Sequence, residues 1–259
     1  MYCDLLIENG KSKVYFNNQE IAHVDAIIPR IGSSATTHGA SVIRQFESKG
    51  VITTLNSTGL LMARDKLSCL QILENHQIPV PKTIYISNSL SIEYLLRQME
   101  EFPTVIKLVS GTQGLGVILA ENYKNAESII EAFYATREKV ILQKFIKEAQ
   151  GADLRAFVVD GRIVASMKRQ AKEGEFRSNL HRGASANTIL LTEREAEVAI
   201  SAVKALQLSV AGVDMLQTLH GPVVLEVNAS PGLEGIETVT GANVSGEIVR
   251  FLESRWAKK

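Results

Sequence analysis

The sequence predicts a mixed α/β (α+β) fold, on three observations. Strand-like and helix-like segments alternate through the first 80 residues, as small parallel α/β units do. The middle of the chain sets a glycine-rich stretch between two apolar strand candidates. The last third is rich in hairpins, with Asp160-Gly161 as the strongest turn signal. At 259 residues the chain is long enough to bury a core without staples.

Leu5–Glu8 and Val14–Phe16 read as short strands around an Asn9-Gly10 turn. Val24–Ile28 is a buried strand that Pro29 ends. Residues 37–49 are helical, with Gly50 as the stop, and Val51–Thr54 is the next strand. One helix is expected from Ser57 to His76, its apolar side formed by Leu67, Leu70, Ile72 and Leu73. Pro79 and Pro81 close this first unit, residues 1–80. In a second unit, 81–145, Thr83–Ile86 is a strand and Ser91–Glu101 a helix. Val105–Val109 and Val117–Ala120 flank the glycine loop, a helix covers about 124–136, and Val140–Phe145 is a strand. The third unit, 146–259, begins with the hairpin Leu154–Val159 and Arg162–Lys168, followed by a polar loop over 170–187. Thr192 caps a helix to about Gln207. Strands at 210–217 and 222–228 precede an amphipathic helix around Ile248, Phe251 and Leu252.

Lys plus Arg equals Asp plus Glu at 28 each, which argues against a broad grip on nucleic acid. Cys3 and Cys69 are too few for a disulfide framework or a paired-cysteine zinc site. No apolar run approaches the roughly 20 residues of a spanning helix, and the N-terminus lacks the pattern of a signal peptide. A cytoplasmic address with no membrane contact is the expectation.

Chemistry concentrates in three places. The first is the last hairpin. Folding it about His220, in a three-residue Leu219-His220-Gly221 turn, sets Asp214 opposite Glu226, and strand alternation puts Asn228 on the same face as Glu226. Three oxygen donors without His or Cys suit magnesium, although solvated positions on an exposed sheet face would look the same. The second is Lys107, a lysine inside the apolar strand Val105–Val109, which calls for an anionic partner. Ser110–Gly116 follows with Gly111 and Gly114. It has neither the Walker nor the dinucleotide pattern and joins two strands, so it fits a phosphate-covering flap or a plain hairpin turn. The third is the stretch from Arg162 to Arg182, with six cationic residues against two acids, a local excess suited to anionic ligands or to a solvated loop. Asp153 and His181 carry no signal of their own.

Together these segments resemble the ATP-grasp superfamily, and within it the ribosomal protein S6 glutamate ligase family. The matching stretches are Pro29–Gly32, Ala63–Lys66, Lys107–Val109 with Gly111–Gly114, Ile146–Gly151, Ala171–Gly174 with Phe176–Gly183, and Glu226–Gly235. The resemblance implies an ATP-grasp fold in which two α/β subdomains, 81–145 and 146–259, grip ATP, preceded by a shortened pre-ATP-grasp domain over 1–80. The family pattern carries a further strand and helix before the segment matching Met1. It implies Lys107 and Lys66 at the phosphates, Lys144 and Phe145 at adenine, Asp153 at the ribose, and Arg177, Ser178 and Asn179 lining the nucleotide site. Asp214, Glu226 and Asn228 would hold two magnesium or manganese ions. Arg169 and Arg182 are candidates for stabilising an acyl phosphate and a tetrahedral intermediate. The implied reaction joins L-glutamate to a carboxylate at the expense of ATP, with the S6 C-terminus as acceptor, no direct nucleic-acid contact, and a homotetramer as the family assembly. A ligase acting on another small-molecule or peptide carboxylate, or a nucleotide-binding regulator without turnover, fits the same motifs.

Overall fold

The structure, a computed structural model, describes residues 3–87, 92–109, 116–180 and 183–258. Among these residues the strands form four sheets. The first is an antiparallel meander of β1 (Asp4–Leu6), β2 (Lys13–Phe16) and β3 (Gln19–Glu20). Asn9 and Gly10 take φ of 39° and 75°, the left-handed pair that the expected turn requires. β3 carries no apolar signal and was not anticipated. The second sheet pairs β4 (Ala26–Ile27) in parallel with β5 (Ile52–Thr53), with α1 (Thr36–Ser48) between them in the chain. The parallel unit read from the sequence is therefore present, but as two short strands beside a meander.

The single helix expected over residues 57–76 is two helices, α2 (Ser57–Arg64) and α3 (Lys66–Asn75). Asp65 leaves the helical region at φ −84° and ψ 105°, and its carboxylate accepts the Ser68 N–H at 2.9 Å. A short acidic side chain that caps a backbone N–H starts a new helix where it stands. The break makes Lys66 the first residue of α3.

β6 (Thr83–Ile86), α4 (Ile92–Met99), β7 (Thr104–Leu108), β8 (Val117–Ala120), α5 (Tyr123–Ala135) and β9 (Val140–Lys144) form the second unit, which holds the third sheet. The sheet is antiparallel with order β6-β9-β7-β8. Ile86, Leu96, Met99, Ile106, Ile130 and Leu142 fill a core of its own. Its entry and exit lie side by side: Thr83 pairs with Gln143, and the Lys144 N–H donates to the Lys82 carbonyl at 2.9 Å.

The largest sheet has the order β12-β11-β10-β13-β14. Its elements are β10 (Ala152–Val159), β11 (Arg162–Gln170), β12 (Ser185–Thr188), α6 (Glu193–Ala205), β13 (Val210–Thr218) and β14 (Gly221–Asn228), followed by α7 (Glu234–Thr240) and α8 (Val244–Trp256). Asp160 and Gly161 turn the first hairpin with φ of 49° and 71°. Thr192 caps α6 as expected, with Glu195 completing a capping box. β12 begins within the stretch read as a polar loop, and α7 lies where no element is expected.

One face of this sheet has an apolar centre, with Ser166, Lys168 and Asn187 toward its β12 edge. Leu154, Ala156, Val213, Met215 and Val224 pack against α6 and against Ile43, Leu60 and Leu73 from the N-terminal helices. The other face is divided. Phe157, Val159, Met167 and Val210 lie under Ile236, Ile248 and Phe251 of α7 and α8. Beyond that cover, the strand alternation of the same face continues with Asp153, Arg155, Arg169, Asp214, Glu226 and Asn228.

Candidate functional site

The polar half of the divided face is built by register. Asp153 pairs with Arg169, Arg155 with Asp214, Asp214 with Glu226, and Gly212 with Asn228. The last hairpin reaches this register by an unexpected route. Its turn holds two residues, Leu219 and His220, because Thr218 pairs with Gly221. That tight turn alone would set Asp214 against Leu225. A β-bulge between Asp214 and Met215 shifts the pairing by one residue and brings Glu226 opposite Asp214.

Two aspartates and two arginines interlock on this face. Arg155 grips Asp214 with two parallel bonds, Nε to Oδ1 at 2.7 Å and Nη2 to Oδ2 at 2.6 Å. Arg169 does the same to Asp153 at 2.6 and 2.5 Å, and its Nη2 also lies 3.1 Å from Asp214 Oδ2. Ser178 adds a side-chain hydrogen bond to Asp153. Asp153, Arg169 and Asp214 are only 3–5% exposed, so these charges are compensated by one another rather than by water. Burial pushes the Asp153 carboxyl up, and the Asp214 charge adds to the effect. At Asp214 the same burial is overcome by Arg155 and Arg169, which hold its carboxyl well below the usual range. Arg155, which the sequence reading missed, is thus half of the grip on Asp214. Its i, i+2 spacing from Asp153 on a strand was the available signal.

Glu226 and Asn228 complete the set. Glu226 is exposed, and the Asn228 amide donates to its Oε1 at 3.0 Å. The donor chemistry fits a hard divalent cation. All three groups offer oxygen, and two carboxylates are the number expected of an ion that shares its shell with phosphate. Because Asp214 stays ionised, protons do not compete for it near neutral pH.

A cationic wall faces this triad from the smaller sheet and from α3. The Lys66 ammonium donates to the carbonyls of Leu108 and Val109 at 3.1 and 2.9 Å, at the end of β7. Lys107 donates to Gln143 Oε1 on β9 at 2.5 Å. Burial brings the Lys107 amine down to about 8, partly offset by the Glu226 charge and reinforced by Lys66. Glu226 also raises Lys66, which burial lowers. The glycine loop begins beyond β7; Gly111 and Gly114 lie outside the described residues. Its far end is at Gly116, whose φ of 68° and approach to Leu108, 2.4 Å from where a Cβ would sit, admit only glycine.

The remaining expected residues edge the same opening. Lys144 is at the end of β9, 3.3 Å from Glu101. Phe145 meets Phe176 edge to face, with centroids 6.2 Å apart. Arg177 lies over the Phe176 ring at 5.4 Å, pairs with Glu175 at 2.7 Å, and donates to the Val117 carbonyl of β8 at 3.3 Å. It therefore spans the two sheets. Its charge, with backbone N–H groups, draws the Glu175 carboxyl down to about 2. Ser178 is buried and Asn179 half-buried beside them. Arg169, expected at the reacting phosphate, has its guanidinium turned into the Asp153 and Asp214 carboxylates. Its partner in that expectation, Arg182, lies outside the described residues with His181.

Comparison with known proteins shows the family of the chain. Residues 1–60 match the RimK PreATP-grasp domain family, and residues 63–252 match the RimK-like ATP-grasp domain family. A probable α-L-glutamate ligase of Thioalkalivibrio sulfidiphilus is 49% identical over 251 residues, covering 97% of this chain and 83% of that one. Another, of Trichodesmium erythraeum, is 49% identical over 256 residues, covering 99% and 86%. Among solved structures, the ATP-grasp ligase PsnB in complex with a minimal precursor superposes with a TM-score of 0.74 at 20% identity, over 97% of this chain and 86% of that one. A D-alanine–D-alanine ligase of Bacillus anthracis superposes at 0.67 and 21% identity, over 84% and 75%. The structural likenesses speak for the ATP-grasp fold, and the sequence matches run through both the N-terminal segment and the cleft. The chain belongs to the RimK-like ATP-grasp family and is an ATP-dependent ligase.

Proposed function

We propose that this ligase joins L-glutamate to a peptide carboxylate, with the C-terminus of ribosomal protein S6 as acceptor. The observation that carries the reading is the placement of Lys66 and Lys107 across from Asp214, Glu226 and Asn228. A polyanion and a hard cation fit between such walls. The relatives' names, probable α-L-glutamate ligases, support glutamate as the amine donor.

In this reading residues 81–145 and 146–259 are the two halves of the grip, and 1–80 is an N-terminal unit bearing on them. Lys66 and Lys107 neutralise phosphate. Lys144, Phe145 and Phe176 form the side that takes the base. Asp153, Arg177, Ser178 and Asn179 form the nucleotide side of the large sheet, and Arg177 ties it to β8. Asp214, Glu226 and Asn228 hold magnesium, which when bound offsets the charge of the phosphates. Arg155 and Arg169 keep Asp214 ionised and fixed in place, so both are positioning residues. The substrate carboxylate attacks the γ-phosphate and releases ADP. The glutamate amine then attacks the acyl phosphate, loses a proton and expels inorganic phosphate, leaving an amide. Little covalent work falls to the protein, which orients the reactants and neutralises charge.

The test is ADP release dependent on both glutamate and acceptor, with the S6 C-terminal peptide and magnesium supplied and Glu226→Gln as control. The expected result is ADP formation together with a peptide mass gain in whole glutamyl units. ADP release that follows another amino acid or another carboxylate, with no glutamyl gain, rejects the assignment.

A further inference from the structure

Two arginines of the N-terminal segment lie near the triad. Arg30 follows β4, and its Nη2 donates to the carbonyl of Pro231 in the loop after β14. Pro231 rests on Gly212, where an added Cβ would sit 2.9 Å from the proline Cβ, and Gly212 is the register partner of Asn228. Arg30 is therefore anchored at the Asn228 end of the triad. Arg64 ends α2 and donates through Nη2 to the Ile31 carbonyl at 2.6 Å. One short segment, Arg30-Ile31, thus carries one guanidinium and holds the other.

Among the described residues neither arginine has an acidic partner; Arg30 is exposed to water, while Arg64 is half-buried. Their identified partners are single backbone carbonyls. Arg64 Nε is buried with no hydrogen-bond partner among the described residues. Buried donors are nearly always satisfied, and a charged one left open is costly. Burial lowers the pKa of both guanidiniums, and Glu226 offsets part of that effect at Arg64. The arginine fork is thus close enough to the triad to feel its charge, yet it is not bonded to it.

We infer that Arg30 and Arg64 bind the carboxylate that is to be activated, holding it against the triad on the side opposite the nucleotide. This rests on the ligase reading above. Carboxylate is favoured over phosphate by position and by shape. Lys66 and Lys107 already line the phosphate side, and a carboxylate that attacks the γ-phosphate must enter from across the triad. A planar fork with an open Nε matches the two oxygens of a carboxylate in a way that an ammonium does not.

The experiment compares wild type with Arg30→Gln, Arg64→Gln and Arg64→Lys. Binding is read as the thermal shift given by the acceptor peptide acid, and by its C-terminal amide, in the presence of a non-hydrolysable ATP analogue. KM values for ATP, glutamate and acceptor are measured in parallel. The expected result is a shift with the acid and none with the amide in wild type. The Gln variants lose that shift and raise the acceptor KM about 10- to 100-fold, the ATP KM moves less than about twofold, and Arg64→Lys recovers only part. An equal rise in the ATP KM would assign the arginines to phosphate. A rise confined to glutamate would assign them to the amine substrate. Lowered melting temperature with every KM unchanged would make them structural struts. Each of these outcomes overturns the inference. If the wild type is stabilised by the peptide acid but makes no glutamyl product, the ligase assignment fails while the carboxylate site stands.

Discussion

Asp214 and Glu226 stand directly opposite each other on β13 and β14, and a one-residue bulge is what makes them partners. Leu225 is the residue the bulge absorbs. Because side chains alternate along a strand, a slip of one position would turn Glu226 and Asn228 to the apolar face. Inserting one alanine between Val224 and Leu225 would impose that slip, setting Leu225 opposite Asp214, and should therefore cut ligase activity by more than about 100-fold. Retained far-ultraviolet circular dichroism and a retained melting transition would show that register, not folding, is responsible.

Arg155 is predicted to matter for stability as well as for activity. Replacing it with Met leaves Asp214 buried with one guanidinium where it had two, a loss of about 3 kcal/mol measurable by urea unfolding at pH 7. The sign with pH follows from the depressed Asp214 pKa. A depressed carboxyl contributes stability above its unfolded value of about 3.9, and that stability is lost as pH falls through the folded value. Arg155→Met raises the folded value, so the variant should lose stability at a higher pH than wild type on acid titration.

Lys107 gives the opposite pattern. With its amine near 8, below the unfolded value of about 10.4, the unfolded chain binds more protons between those values, and this group's contribution to stability rises with pH across that window. Below it, the charged lysine is a cost. Lys107→Met should accordingly raise the melting temperature at pH 7 while weakening ATP binding at least about 10-fold. In wild type, kcat/KM for ATP should fall as pH passes about 8, and Lys107→Arg, charged throughout, should flatten that limb.

Asp65 should connect a local cap to the active cleft. Asp65→Ala removes the bond to the Ser68 N–H, costs about 1 kcal/mol, and frees α2 and α3 to merge. Lys66 then loses its place at the end of β7, and the ATP KM rises. Asp65→Asn, which can still cap, should preserve both stability and KM. Equal KM values for the two variants would break the link between cap and cleft.

The sequence made some of this legible and hid the rest for physical reasons. Thr192 with Glu195, Asp160-Gly161 and the apolar strand around Lys107 are local signals, and each element formed where local chemistry placed it. The partnership of Asp214 with Glu226 was also foreseen, but through a three-residue turn; the tight turn and the bulge compensate for each other, and no local signal marks either. The break at Asp65 was missed because apolar spacing continues across it while the capping carboxylate sits outside that pattern. The grip of Arg155 on Asp214 depends on strands β10 and β13 becoming neighbours, a relation set by the whole sheet rather than by spacing. The same holds for Arg30, whose partner Pro231 is far away in the chain.

The smaller four-stranded sheet has its own interior, while helices from before it and strands from after it share one core. Its two ends are already hydrogen-bonded neighbours, at Lys82 and Lys144. Topologically it is a cassette spliced into a discontinuous body. Joining the chain across that seam should yield a miniature that folds around the large sheet, still displays Asp214, Glu226 and Asn228, and lacks the wall that carries Lys107.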